Sequence, residues 1–183
     1  SDVSCPWCII GLKALEQAAD RLQGEVALDM HFQPFELNPQ MPPEGENVGE
    51  HIARKYGRSP EEVESNRGRM LEIGERAGYS FAYAGEGEAP KPMMWNTFAA
   101  HKLLKWALIE AGPQKQTELK RALFDAHFQQ RRRIGDPEVL ADVAAAVGLD
   151  RAAARAAIDD EFLGEVVRRE QAQAWDMNIS GVP

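Results

Sequence analysis

The chain is poor in cysteine: Cys5 and Cys8 are the only two among 183 residues, and both lie in the stretch Cys5-Pro6-Trp7-Cys8. None is left to staple the fold, so stability must come from a packed core. That economy suits a reducing cytosol, and a cytoplasmic location is the expectation. Histidine is equally scarce. His31, His51, His101 and His127 are far apart, with no pair at the close spacing of a zinc knuckle. A structural zinc site needs four ligands and usually a second close pair, so no metal is expected. Basic residues are outnumbered, 21 Lys and Arg against 29 Asp and Glu, which leaves a net charge of −8. Nucleic acid and anionic membrane are thereby disfavoured as main partners, because binding phosphate needs a basic surface. No run approaches the roughly 20 apolar residues of a membrane span. An initiating methionine is also missing and only four residues precede Cys5, so the natural N-terminus is expected to lie outside the sequence.

What is present is enough for one domain with a core, or a small domain carrying an insertion: 44% of the residues are hydrophobic. The chemistry centres on the cysteine pair. Two cysteines spaced by two residues can close to a small disulfide ring or open to a dithiol without moving the rest of a fold. A helix that starts at Pro6 would point its unpaired N–H groups and positive dipole end at the first sulfur, favouring thiolate. Pro6 fits the first helical turn because its missing N–H has no partner there. A purely structural disulfide is the plainer alternative, but so short a ring restrains little chain entropy. The motif reads as a redox site.

Along the chain, Ile9, Leu12, Leu15, Ala19 and Leu22 keep helical spacing from Pro6 to Leu22, and Gly24 ends the run. Val26, Leu28, Met30 and Phe32 then alternate with Ala27, Asp29, His31 and Gln33, the pattern of a strand stopping at Pro34. His31 falls on the polar face of that strand. Residues 38–49 are rich in proline and glycine and read as a loop at a domain boundary. Helices are predicted from about Glu50 to Tyr56 and, behind the capping box Ser59-Pro60-Glu61-Glu62, to about Ala77. After an irregular stretch, a helix opens at Trp95 or Asn96 and closes at Gly112. Another runs from Pro113 to about Arg132, where Arg131, Arg132 and Arg133 would complement the C-terminal dipole. Asp136, Asp150 and Asp160 each cap a further helix, ending near Gly148, Ile158 and Met177. Residues 178–183 have no helical pattern.

The stretches SDVSCPWCIIG (1–11), FQPFELNPQMPPEGEN (32–47), NTFAAHKLLKWA (96–107), RRIGDPEVLADVAAAVGLD (132–150) and ISGVP (179–183) resemble the DsbA superfamily, most closely its FrnE-like branch. The resemblance implies an α/β thioredoxin fold with a large all-helical insertion. Residues 1–37 would form its first half, 38–177 the insertion, and 178–183 the return. A strand before Cys5 and further elements after Pro183 are expected from that fold, so the sequence reads as truncated at both ends. Val182-Pro183 resembles the loop whose cis proline faces the cysteines.

On that resemblance the expected activity is thiol–disulfide exchange on disulfide- or thiol-bearing polypeptides, with no cofactor and with glutathione or another thiol as an optional co-substrate. Cys5, with a lowered pKa, would be the attacking sulfur, and Cys8 would resolve the mixed disulfide. Pro6, Trp7, Val182 and Pro183 would shape the site. Trp7 would either make the couple less oxidising than a histidine would, or serve as an apolar lip. Glu36 is read as a surface carboxylate rather than a proton relay to Cys8. Asn96 and His101 are read as a helix cap and a core contact. Relatives resembling 2-hydroxychromene-2-carboxylate isomerase and kappa-class glutathione transferase offer a second activity. They typically carry a serine where this chain has Cys5. A third reading is a binding module or chaperone that docks peptides on its helical part.

Overall fold

The computed structural model describes residues 1–22 and 24–183. Helix α1 spans Pro6–Arg21, with Cys5 at its N-cap and Pro6 in its first turn. Only its first two turns are buried, through Cys8, Ile9, Ile10 and Leu12, whereas Leu15 and Leu22 face solvent. The chain then runs extended towards Pro34 without joining a sheet, contrary to the strand expected there. A ladder needs a neighbouring strand, and here a side chain stands in for one. Gln116 Nε2 donates to the Phe32 carbonyl (3.0 Å), and Phe32 N–H donates to Gln116 Oε1 (2.8 Å). Val26 and Leu28 consequently stay about half exposed.

The next segment builds a rim. Strand β1 (Glu46–Asn47) pairs antiparallel with β2 (Met93–Met94), Glu46 opposite Met94 and Asn47 opposite Met93. Helix α2 (Val48–Tyr56) starts on Asn47, whose side-chain oxygen accepts from Gly49 and Glu50 N–H. Helix α3 (Pro60–Arg76) starts on Ser59 with the expected reciprocal capping box to Glu62. Gly74 lets α3 rest on the aromatic residues beyond it, since a Cβ there would fall 2.5 Å from Phe81 Cε2.

Helix α4 (Phe98–Phe128) is two helices meeting at Gly112, whose φ of 81° precedes Pro113. Glycine adopts that backbone freely, and proline cannot donate back into the preceding turn. The second half stops at Phe128 rather than near Arg132, because Arg131 takes a left-handed backbone at φ 55°. The three arginines therefore do not line a helix end. Arg132 pairs with Asp142, and Arg133 donates to the Pro43 carbonyl and lies over the Trp95 ring. Helices α5 (Pro137–Ala146), α6 (Arg151–Asp159) and α7 (Glu161–Asp176) begin on Asp136, Asp150 and Asp160 as expected.

Two apolar clusters hold this together. One joins α4, α5 and α6 through Leu103, Leu119, Leu123, Leu140 and Ile158, and takes in Val3 from the N-terminal stretch. The other surrounds the start of α1: Cys5, Cys8 and Ile9 pack with Tyr79, Phe81, Phe124 and Phe128. Its rings meet edge to face, Tyr79–Phe81 at 5.0 Å and Phe81–Phe128 at 5.1 Å between centroids. The second half of α4 thus reaches the cysteine helix through Phe124 and Phe128, while the first half packs in the cluster that takes in Val3. Among the described residues no helix is long and apolar enough to cross a membrane.

The Gln116 carboxamide is fully buried and also donates to the Leu104 carbonyl at 3.2 Å. Replacing it by leucine strands the polar groups of Phe32. Gln116→Leu is expected to cost about 1–3 kcal/mol in urea unfolding; unchanged stability would show that the carboxamide is not the partner that holds the extended segment.

Candidate active site

Cys5 and Cys8 are brought together by the first turn of α1, where Cys8 N–H donates to the Cys5 carbonyl at 3.1 Å. Both are free thiols, and both are almost wholly buried. The turn before the helix is held by Asp2, a fully buried carboxylate. Its backbone carbonyl accepts from Cys5 N–H (3.2 Å), Oδ1 accepts from Ser4 N–H (3.2 Å), and Oδ2 accepts from Leu37 N–H (2.8 Å). Burial opposes ionisation of Asp2, but His101, the Leu37 N–H and Lys120 outweigh it and hold the acid below the usual carboxylate range.

His101 stands with Nε2 at 3.6 Å from Asp2 Oδ1, too far for a hydrogen bond, and that nitrogen has no other partner. Burial pushes its pKa down, against the pull of the Asp2 carboxylate. Lys120 is the larger surprise. A lysine with no exposed surface, it donates to the Ser1 carbonyl (3.2 Å), with its ammonium 5.1 Å from the Phe124 ring and 5.6 Å from that of Phe32. Burial brings its pKa from 10.5 to about 8, while Asp2 and the two cysteines pull the other way.

The two thiols titrate as a pair. Ionisation of Cys8 is eased to about 6, first by the Cys5 thiol that hydrogen-bonds to it, with the backbone at Asp2 and the Lys120 charge assisting. Cys5 is pushed up for the same reason: it keeps the proton that Cys8 gives up, and burial adds to the effect. The lowered pKa expected for Cys5 therefore belongs to the pair, whose first ionisation is eased and whose second is opposed.

Pro6 and Trp7 form one wall of a cavity of about 350 Å³. Met70, Met93, Met94 and Phe81 contribute apolar surface, while Arg67, His127 and Arg131 also reach it. Trp7 is 45% exposed, placed as the lip of this cavity. On the other side, Val182 packs into the cluster that holds the cysteines, and a Cβ on Gly11 would lie 3.6 Å from the Pro183 ring. The terminal Val-Pro pair thus sits beside the cysteine helix, but its bond is trans rather than cis, as are all bonds among the described residues. Trans is the default at proline by about 0.5–1 kcal/mol unless neighbouring structure selects cis.

Glu36 is buried, not on the surface. Gln171 Nε2 donates to its Oε2 at 3.1 Å, and burial raises its pKa. Asn96 caps the start of α4, its Oδ1 accepting from Phe98 N–H (3.0 Å), and Nδ2 donates to the Met41 carbonyl (3.3 Å). His31 is exposed beside Asp29, and His51 is tied to Glu46 and Asn38. Among the described residues no group of three or more His, Cys, Asp and Glu is placed to hold a metal ion. Asp2 and Lys120 escaped the sequence reading, and Arg131 entered it only as part of a basic helix end. The only available signal for Lys120 was its position, one turn before Phe124 on the apolar side of a helix.

Residues 1–183 match the family model of the DSBA-like thioredoxin domain. The chain is 26% identical over 184 aligned positions to the uncharacterised protein YwbO of Bacillus subtilis, covering all of this chain and 82% of that one. It also superposes on the crystal structure of a probable DsbA oxidoreductase from Streptomyces coelicolor. There the TM-score is 0.85 at 25% identity, over all of this chain and 76% of the other.

Lys120→Met keeps the bulk and removes the charge. The dithiol should then first ionise at higher pH, read from thiolate absorbance, while folding stability at neutral pH falls, because Asp2 is left a buried anion without its nearby cation. In the wild type the unfolded lysine holds its proton up to about pH 10.4. The folded one releases it near 8, so stability climbs with pH between those limits. That climb should vanish in the variant. An unchanged thiol titration would mean the ammonium does not act on the sulfurs.

Proposed function

The chain belongs to the DSBA-like thioredoxin domain family, and from that premise we propose that it is a thiol–disulfide oxidoreductase working through Cys5 and Cys8 on polypeptide substrates. The FrnE-like branch is the placement that its FELNPQMPP and IGDPEV stretches favour. The observation that carries the reading is a pair of free thiols set one turn apart at a helix start, beside an apolar cavity.

The exchange proceeds in two displacements. As Cys5 approaches a substrate disulfide, its proton passes to Cys8 and the Cys5 thiolate attacks one substrate sulfur. A mixed disulfide forms, the substrate S–S bond breaks, and the departing thiolate takes up a proton. Cys8 then loses its proton and attacks the Cys5 sulfur, which forms the Cys5–Cys8 disulfide and releases the second substrate thiol. Two electrons have moved to the substrate, whose two departing sulfurs take up one proton from the cysteine pair and one from water, and the reverse order oxidises a dithiol. Lys120 and the N–H groups at the start of α1 favour the anionic sulfur at each stage. Pro6 fixes the first turn, Trp7 offers apolar surface to the substrate, and Val182-Pro183 flanks the sulfurs.

Insulin reduction driven by dithiothreitol tests this directly. Cys5→Ser should lower turnover by a factor on the order of 100 or more, and Cys8→Ser should accumulate a mixed disulfide visible by mass. Turnover that survives Cys5→Ser would remove the proposed chemistry.

A further inference from the structure

The cavity beside the cysteine helix is apolar in most of its lining, yet two arginines reach it. Arg131 presents a buried Nε with no hydrogen-bond partner, on a backbone at φ 55° that a non-glycine residue rarely adopts. Arg67 faces the same space from α3. Its own contact is an exposed pair with Glu64 at 3.4 Å, of a kind that contributes little. Both burial and the nearby Arg67 charge disfavour the Arg131 cation. Arginine does not escape by losing its proton, so the cost stands. The other titratable neighbours are Glu64, which also lines the cavity and offsets one of the two cations, and His127, which burial keeps neutral by lowering its pKa to about 4. In a protein of net charge −8, the wall beside the reactive sulfurs carries an excess of positive charge.

The geometry points to a carboxylate-binding subsite: Arg67 and Arg131 receive an acidic side chain of a polypeptide substrate whose neighbouring apolar side chain fills the cavity between Trp7, Met70, Met93 and Met94. Guanidinium pairs bind carboxylates through charge-assisted, often two-point hydrogen bonds, which would satisfy the unpartnered Nε and offset the repulsion. The methionine lining argues for side chains of varied shape. It also argues for a polypeptide over glutathione, a small and highly polar molecule that would leave the carbon surface uncovered. This assignment deepens the oxidoreductase reading and rests on it only for the identity of the occupant as a substrate.

Binding is measured on the full chain carrying Cys5→Ser and Cys8→Ser, which cannot exchange, with two fluorescent peptides. They share a leucine beside a serine in place of cysteine, and differ only in two following glutamates or two glutamines. The acidic peptide should bind roughly tenfold tighter, with the preference shrinking as salt is raised. Arg131→Asn, an asparagine being tolerated at a left-handed position, and Arg67→Gln at the exposed end should each reduce the preference, and together abolish it. Equal binding of the two peptides, a preference that persists in the double arginine variant, or tighter binding of oxidised glutathione than of the acidic peptide would each overturn the proposal. The cysteine-containing protein is then assayed on the disulfide forms of both peptides. Exchange without charge preference overturns the subsite alone, and preference in binding without exchange overturns the oxidoreductase reading alone.

Discussion

A carboxylate sealed from water sets the position of the reactive helix. Asp2 accepts from two backbone N–H groups with its side chain and from a third, that of Cys5, with its carbonyl. One residue therefore fixes the turn from which α1 departs and ties it to the chain at Leu37. A buried anion of this kind is stable only while its hydrogen bonds are complete and opposite charge lies near. Lys120 supplies the charge, and the same ammonium extends its field to the sulfurs. The local order of the cysteine turn and its electrostatics thus share a cause.

That cause is distant in sequence. Lys120 lies in the second half of α4, and His101, which stands beside Asp2, in the first. The break at Gly112 is what allows both halves to approach the N-terminal stretch while their outer faces pack on α5 and α6. A straight helix would carry one of them away. The helical part is accordingly more than a cover for the cysteines, because it furnishes the buried cation and the aromatic floor on which they rest.

Much of the secondary structure was legible because its causes are local. Ser59 with Glu62, the aspartates at 136, 150 and 160, and the Gly112-Pro113 pair each act on their own neighbours. The cysteine motif was legible for the same reason. Other features depend on partners far along the chain. The alternation from Val26 to Phe32 looked like half of a ladder, but pairing depends on what lies alongside, and a glutamine did. Glu36 was read as exposed because carboxylates seldom bury, and Gln171 is the exception that permits it. Arg131 was taken for part of a basic helix end, whereas its left-handed backbone turns it into the cavity. The thiol pKa was assigned to one sulfur, although two thiols in contact titrate as a unit.

The rim formed by β1 and β2 has only two residues in each strand. So few backbone bonds let that edge open at far less cost than the core, while α1 stays anchored through its buried first turns. A bulky guest can therefore press the methionine-bearing rim outward without shifting the sulfurs. On the proposed oxidoreductase reading a compliant mouth would stand beside a rigid reactive centre, and breadth of substrate shape need not come at the expense of chemical alignment.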